Sequence, residues 1–453
     1  MDRSADAPGA APGIFGRITL HGRITLIAGL AFASNGLNLG ILSFALLGLK
    51  ASWGLTPAQV GVVTGAAGLG QLIGGVLVGH ATDRIGRRRG YGLTIALNSL
   101  ATGAAALAPS FGWLVPLILL AGIGFGGVAP VAISLVGEFA PREKRGALIG
   151  WTQVMWVLGW IAAATGGVLL LHGVGWRGIL GIGILPIVLA VIGPSLVPES
   201  PRFLLAHGRR RDAEDLVRTL EARYGVSLEL PAQERARRES VLAHLRELWS
   251  PRFLRRTALL WTAWFVMIGT YQGPVVWFPT LLAAAGVPHA AEASLVMAWA
   301  MLPTTVAATL LLDRLGRKPV MVSALALASV AAAGAALART GPGFVVSAAG
   351  LAGGVLAAWV PVLTYAAELY PTRIRATATG WATGAGRSAG ILAPAMLGLL
   401  MTTWGGRQGT VFGIFAAALG IAALIVLLLG EETAGRSLEE IAGTRTASAA
   451  ASP

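Results

Sequence analysis

Cysteine is missing from the 453-residue chain altogether. That excludes disulfides, thiolate metal sites and cysteine nucleophiles. Charge is scarce: Asp, Glu, Lys and Arg together make up 12% of the residues, about half the share in a soluble globular protein. A multidomain soluble enzyme is excluded on that ground. The opening stretch "MDRSADAPGAAPGIFGR" lacks a short apolar core with a cleavage site. No removable signal peptide is therefore expected, and the first apolar stretch would target the chain by itself. Scarcest of all is acid inside the apolar runs. All 21 Asp and Glu fall in loops, tails or the ends of runs, and no histidine lies deep within one.

What the chain has instead is apolar length. Hydrophobic residues make up 55% of it, in runs near the 20 residues that span a bilayer as helix. The runs predict an all-α membrane protein with twelve transmembrane helices. These lie near 24–48, 58–80, 91–110, 113–138, 147–170, 179–197, 257–283, 291–312, 319–338, 343–368, 378–402 and 409–429. Residues 1–23 form an N-terminal tail, 24–198 a first six-helix bundle and 199–256 a charged helical linker. Residues 257–430 form a second bundle and 431–453 a C-terminal tail. The net charge of +14 would by itself suit a nucleic-acid binder. Its placement argues otherwise. With both termini cytoplasmic, every Lys and Arg falls on the cytoplasmic side except Lys50, Arg177, Arg339, Arg407 and the intramembrane Arg387. The basicity is a topology signal, and no nucleic-acid partner is expected.

The two halves repeat. "GHATDRIGRRRG" (79–90) follows the second helix and "LLDRLGRKP" (311–319) the eighth. Asp83 and Asp313 are 230 residues apart, and so are Glu138 and Glu368, Pro141 and Pro371, and Arg145 and Arg375. Matching offsets of this kind indicate duplication. Two parallel six-helix repeats place a solute site near the membrane midplane, between two bundles.

These residues resemble the major facilitator superfamily over nearly the whole chain. Asp83-Arg84-Ile85-Gly86-Arg87-Arg88 is similar to that superfamily's loop between helices two and three. "PESPRFL" (198–204) and "EETAGRSLEEI" (431–441) resemble its sugar-porter and organic-solute branch, although Gly430 stands where that branch often has proline. A finer likeness is to bacterial nicotinate and aromatic-acid transporters, related to synaptic vesicle glycoprotein-type carriers. It is carried by "GILSFALLGLKASWGLT" (40–56), "FAPREKRG" (139–146), "MWVLGW" (155–160), "YQGPVVWFPTLL" (271–282) and "RATATGWATGAGRSAGILAP" (375–394).

The charged loops have a physical reading of their own. Gly79 lacks a side chain, so a neighbouring helix can approach it. Asp83 would then face a helix N-terminus of the other bundle. Arg84, Arg87 and Arg145 would gather around Glu138, and Asp313, Arg314, Arg317, Glu368 and Arg375 would form the second cluster. The resemblance implies that such clusters latch the outward-open state and break as the carrier rocks. Asp83→Asn is then expected to favour the inward-open state. The alternative is charges that merely anchor helix ends. That accounts for the arginines but not for acids at matching offsets. In the linker, "RRDAEDLVRTLEARYG" (210–225) reads as an amphipathic helix bracing the halves.

Substrate contacts are expected from Asn35, Asn38, Gln153, Trp156, Tyr271, Gln272, Trp359 and Arg387. Asn35 and Asn38, three apart, share a helix face. They would either orient a solute or bond between helices. Arg387 lies deep in the eleventh span, where a guanidinium needs a partner: a carbonyl, water or the carboxylate of a substrate. Gly273-Pro274 predicts a kink in helix seven. Trp261 and Trp277 read as interface-belt residues. The resemblance adds that aromatic-acid relatives carry acids where this chain has Asn35 and Asn38, and arginine where it has Ile118. The nicotinate-like pattern has glutamate where Gln153 stands. Proton coupling, if retained, would then pass through Glu138.

The expected function is secondary transport of a small organic acid, nicotinate-like or aromatic, by alternating access. The chain would act as a monomer in the cell (inner) membrane, with the lipid bilayer, the solute and protons as its partners. No cofactor, metal or catalytic residue is expected. The alternatives are a sugar or polyol porter, an efflux carrier for amphipathic compounds, and a receptor that does not transport.

Overall fold

The computed structural model describes residues 19–140, 144–225, 241–338, 341–370, 372–403 and 408–434. Its membrane helices in the first half are α1 (Leu20–Trp53), α2 (Pro57–Ile85), α3 (Arg87–Ala105), α4 (Phe111–Phe139), α5 (Arg145–Ile182) and α6 (Ile187–Leu196). The linker carries α7 (Pro201–Ala206), α8 (Arg210–Tyr224) and α9 (Val241–Leu248). The second half has α10 (Leu254–Thr270), α11 (Val276–Ala284), α12 (Ala290–Leu315), α13 (Arg317–Ala338), α14 (Gly341–Glu368), α15 (Thr372–Thr403) and α16 (Gln408–Leu429).

Twelve spans emerge from these elements once two interruptions are read correctly. Gly175, at φ 62°, breaks α5, and the chain beyond it runs through a turn into α6 as the sixth span. The seventh span is α10 and α11 joined by a π turn over Tyr271–Val275, where Gly273 has ψ −105°. This is the kink expected at Gly273-Pro274. Among the described residues, ten helices are long and apolar enough to cross a membrane by composition. α3 falls short because Arg87, Arg88 and Arg89 open it, and the seventh span because the π turn divides it.

Local chemistry sets the helix ends. Thr56 caps α2 in a reciprocal capping box with Gln59, and Pro57 takes the first helical position. Gly86 (φ 92°) separates α2 from α3, and Gly316 (φ 96°) separates α12 from α13. A side chain at either would be strained and would strike a carboxylate: Glu199 Oε2 at 2.5 Å from a Cβ on Gly86, Glu432 Oε2 at 2.5 Å from one on Gly316. The same turn thus recurs 230 residues on.

One end of the molecule carries the charged loops and the linker; we call it the charged end, and the opposite one the far end. Between the halves, α2 lies along α15. A methyl group on Gly61 would stand 2.9 Å from the Pro394 carbonyl, one on Gly398 would stand 2.6 Å from the Pro57 carbonyl, and one on Gly68 would overlap the Gly390 carbonyl. Small residues let the backbones meet there. Ser43 Oγ donates to Val276 O, and Trp277 Nε1 donates to Thr64 Oγ1 at 3.2 Å. The far end is therefore closed. Toward the charged end α2 and α15 part: a methyl on Gly79, Gly380 or Gly384 would meet nothing within 4 Å. The close approach expected at Gly79 thus falls nearer the far end. Trp277, expected as a belt residue, is 2% exposed and seals that closure.

Candidate functional site

Arg387 stands at the middle of the 32-residue α15. Its Nη1 donates to Gln71 O of α2 and its Nη2 to Gly126 O of α4 at 3.4 Å, so a side chain of the second half is held by two helices of the first. Sequence explains each part of this cradle. Pro130 has no N–H, so the carbonyl four residues earlier, that of Gly126, lacks its helical partner. Gly75 and Gly126 leave room: a Cβ on Gly75 would come 3.4 Å from Arg387 Cζ, and one on Gly126 2.9 Å from Nη1. The residue is half-buried and keeps accessible surface. Both of these partners are backbone carbonyls, not acids.

Asn35 and Asn38 turn toward α3 and α4. Asn35 Nδ2 donates to Phe125 O at 3.0 Å, Asn98 Nδ2 to Asn35 Oδ1 at 3.1 Å, and Asn38 Nδ2 to Asn98 Oδ1 at 2.5 Å. Asn98, in α3, was not singled out by sequence. Its only signal there was a lone amide in the apolar stretch "LTIALNSL" (93–100).

An aromatic cluster joins α5 to the π turn. Trp156 stacks on Trp160 with centroids 5.6 Å apart, and Tyr271 meets both edge-on at 5.4 and 5.8 Å. The Tyr271 hydroxyl is buried without a partner among the described residues. Gln272 is 3% exposed, and its Cγ lies 3.4 Å from where a Cβ on Gly390 would sit. Gln153 Nε2 donates to Thr152 Oγ1 at 3.3 Å. Trp359 meets Trp264 edge-on at 5.1 Å, apart from the cluster. Trp261 stacks on Trp381 at 6.4 Å.

At the charged end, Arg317 Nε and Nη2 grip both Glu368 oxygens at 3.1 and 3.0 Å, and Nη1 donates to Asp313 Oδ1 at 3.3 Å. In the first half Ser200 Oγ donates to Glu138 Oε2, and Arg87 Nη1 to Thr82 Oγ1 at 3.3 Å. Arg375 Nε donates to Tyr370 O at 3.2 Å. Arg84 and Arg314 are exposed. The side chains of Asp83 and Arg145 lie outside the described residues. Two acids that sequence had left without a role do matching work. Glu199 Oε1 accepts from Arg87 N at 2.8 Å, capping α3, and Glu432 Oε1 accepts from Arg317 N at 2.9 Å, capping α13. They belong to "PES" and "EET", so the signal lay in motifs already noticed.

The linker braces both halves. Tyr224 at the end of α8 accepts from Arg23 Nη1 at 2.7 Å, and His244 Nδ1 lies 3.3 Å from Thr377 Oγ1 of α15. Ala213, Val217 and Leu220 form the buried face of α8.

Two bundles, a mid-depth cation between them and paired charge clusters at one end define a major facilitator carrier. The profile of the "Sugar (and other) transporter" family matches residues 33–444, and the chain belongs to that family of transporters. It is 35% identical to the niacin transporter NiaP of Acinetobacter baylyi over 425 residues, covering 93% of this chain and 96% of the relative. It is 28% identical to a putative niacin/nicotinamide transporter of Bacillus subtilis, covering 91% and 96%. Among solved structures it is similar to the inward-open xylose transporter XylE from E. coli. The TM-score is 0.72 at 20% identity, covering 93% of this chain and 99% of that one. The chain is thus a multi-pass membrane protein and a secondary transporter for small organic solutes.

Proposed function

We propose that the chain carries a small aromatic or heteroaromatic carboxylate, nicotinate-like, across the inner membrane with both termini cytoplasmic. The carrying observation is Arg387: a guanidinium at mid-depth, at the seam between bundles, whose partners are two carbonyls of the opposite bundle. A carboxylate satisfies a guanidinium better than a carbonyl does, through two parallel charge-assisted bonds. Substrate and carbonyls compete for the same N–H groups, so binding would loosen α15 from α2 and α4. The ring of the solute would lie against Trp156 and Tyr271, whose hydroxyl has a donor to offer. Gln153, Gln272 and Trp359 would complete the contacts. The niacin transporters among the relatives support this reading. In this orientation the structure is closed to the outside. The clusters of Arg87 with Glu138 and of Arg317 with Glu368 would tighten as the inside closes, with Asp83 and Arg145 joining them. The carrier would act as a monomer, and any coupling proton would pass through Glu138.

A sugar or polyol is the second reading, favoured by the family match and by "PESPRFL". Uptake of radiolabelled nicotinate, benzoate and xylose into proteoliposomes, with and without an inward proton gradient, separates the two. Saturable nicotinate or benzoate uptake, lost in Arg387→Ala, is expected. Saturable xylose uptake that survives Arg387→Ala would overturn the assignment.

A further inference from the structure

Four cations fall on the side of the chain where topology does not call for them. Lys50, Arg177, Arg339 and Arg407 belong to far-end segments by sequence, and Glu292 is the one acid that belongs there with them. Retention of positive charge on the cytoplasmic side accounts for the basic charged end. It works against cations at the far end, so these need another reason. Arg177 is engaged: its Nη2 donates to Ala108 O at 3.0 Å, and its Cζ lies 4.3 Å from the centre of the Trp176 ring. Glu292 is engaged too, with Oε1 3.6 Å from His289 Nδ1. Lys50 has no hydrogen bond or ion pair among the described residues.

Lys50 is half-buried in the last turn of α1. It lines a cleft with Val60 of α2, Trp277, Thr280 and Ala284 of α11, and Met401 of α15. These are the helices whose meeting closes the far end, and they come from both halves. Val60, Trp277 and Thr280 are buried, whereas Ala284 is exposed, so Lys50 stands at the rim of the seal. The free space is about 10 Å³, room for about one water. No solute fits there while the far end is closed. Once α11 and α15 draw away from α1 and α2, Lys50 is left on the wall of the opening.

Depth separates this cation from Arg387. Met401, in the same cleft as Lys50, lies 14 residues beyond Arg387 on α15, roughly 21 Å along the helix at ~1.5 Å per residue. Across water, charges that far apart are screened, because the screening length is about 8 Å at physiological salt. Lys50 therefore adds little to the hold on a carboxylate already at Arg387. What it can change is how often an anion reaches the opening, since steering raises association rates and fades with salt. The two side chains differ as these tasks do. An ammonium is a compact, hydrated point charge suited to a brief encounter, and the guanidinium fork suits a seated carboxylate. In the last turn Lys50 also complements the dipole of α1, but that role would leave solute association untouched.

We propose that Lys50 is a recruiting cation at the outer mouth, drawing carboxylates from outside toward Arg387. The proposal rests on the reading of the chain as an organic-acid carrier whose far end faces out.

The test is the association rate of nicotinate and benzoate, added outside proteoliposomes of the full chain and followed by stopped-flow quenching of tryptophan fluorescence. Trp156 and Trp160 beside the site are the reporters. Wild type, Lys50→Gln, Lys50→Arg and Lys50→Glu would be compared at low and at high salt. Molecules inserted the other way round admit solute by the charged end, and their phase is an internal reference. At low salt Lys50→Gln is expected to slow the far-end phase about fivefold and Lys50→Glu to slow it further, with Lys50→Arg near wild type. At high salt the difference should shrink below about twofold, and the equilibrium Kd should stay within about twofold at either salt. A far-end rate that Lys50→Gln leaves unchanged at low salt overturns the proposal alone. So does a rate loss that salt does not diminish, or a Kd that rises in step with it. No association of either acid with wild type defeats the organic-acid reading, and this proposal with it.

Discussion

At Arg387 one side chain holds two helices of the opposite bundle, and it does so through its fork of donors. Lys keeps the charge but not the fork. Arg387→Lys is expected to raise the nicotinate concentration for half-maximal uptake about tenfold, with Arg387→Ala losing saturable uptake altogether. Concentration series in proteoliposomes give both values. Asn98 is a different kind of residue. Replacing it with Leu leaves Asn35 Oδ1 and Asn38 Nδ2 without their partner, each at roughly 1–3 kcal/mol. Asn98→Leu is expected to lower the midpoint of thermal unfolding in detergent by several degrees, read from loss of the monodisperse peak after heating. Sequence marked Asn35 and Asn38 as odd because amides are costly in an apolar span. It could not pair them with Asn98, because those contacts join residues 60 and 63 positions apart across α1 and α3.

In α4, Pro130 frees the Gly126 carbonyl for Arg387. Pro130→Ala restores the missing N–H, so the carbonyl turns back to its own helix. The far-end-closed state is expected to weaken. Val60, fully buried on α2 near the far end, supplies the reporter: a Val60→Cys variant of the cysteine-free chain should react faster with an impermeant maleimide when Pro130→Ala is added. An unchanged rate would show that this carbonyl contributes nothing to the hold. The helices themselves were legible from sequence because span length, caps and the Gly273-Pro274 kink are local properties. The break at Gly175 was legible too, since it falls between the expected fifth and sixth spans, but the turn just before Pro186 inside the sixth was not, because it sits within an apolar run. Where α2 meets α15 was not legible either. Gly61, Gly68 and Gly79 look alike in sequence, and only the tilt between helices decides which of them touches.

Across the whole molecule, closure at the far end rests on α2 against α15 and on α1 and α2 against α11. A cross-link there should arrest the cycle. With no native cysteine, Gly65→Cys and Ile391→Cys make a pair on facing helices, since a Cβ on Gly65 would stand 3.6 Å from the Ile391 carbonyl, an ordinary contact. Oxidation is expected to abolish uptake and reduction to restore it; uptake that persists in the fully oxidised protein would mean that the far end need not open. The duplicated plan, with its acids at both charged loops, was readable as an offset in the sequence. The state of the gates was not, because one sequence encodes every state of the cycle. One feature of the site reaches beyond binding. Among the described residues no carboxylate or histidine lies at the depth of Arg387. A cycle that moves a monovalent anion without a proton is then electrically active. A potential of 100 mV, negative inside, opposes entry of that anion by about 2.3 kcal/mol, roughly a 50-fold bias at equilibrium. Unaccompanied, such a carrier is a better exit than an entrance. To accumulate an acid inside, it must bring in at least one positive charge alongside, or take the acid already neutral.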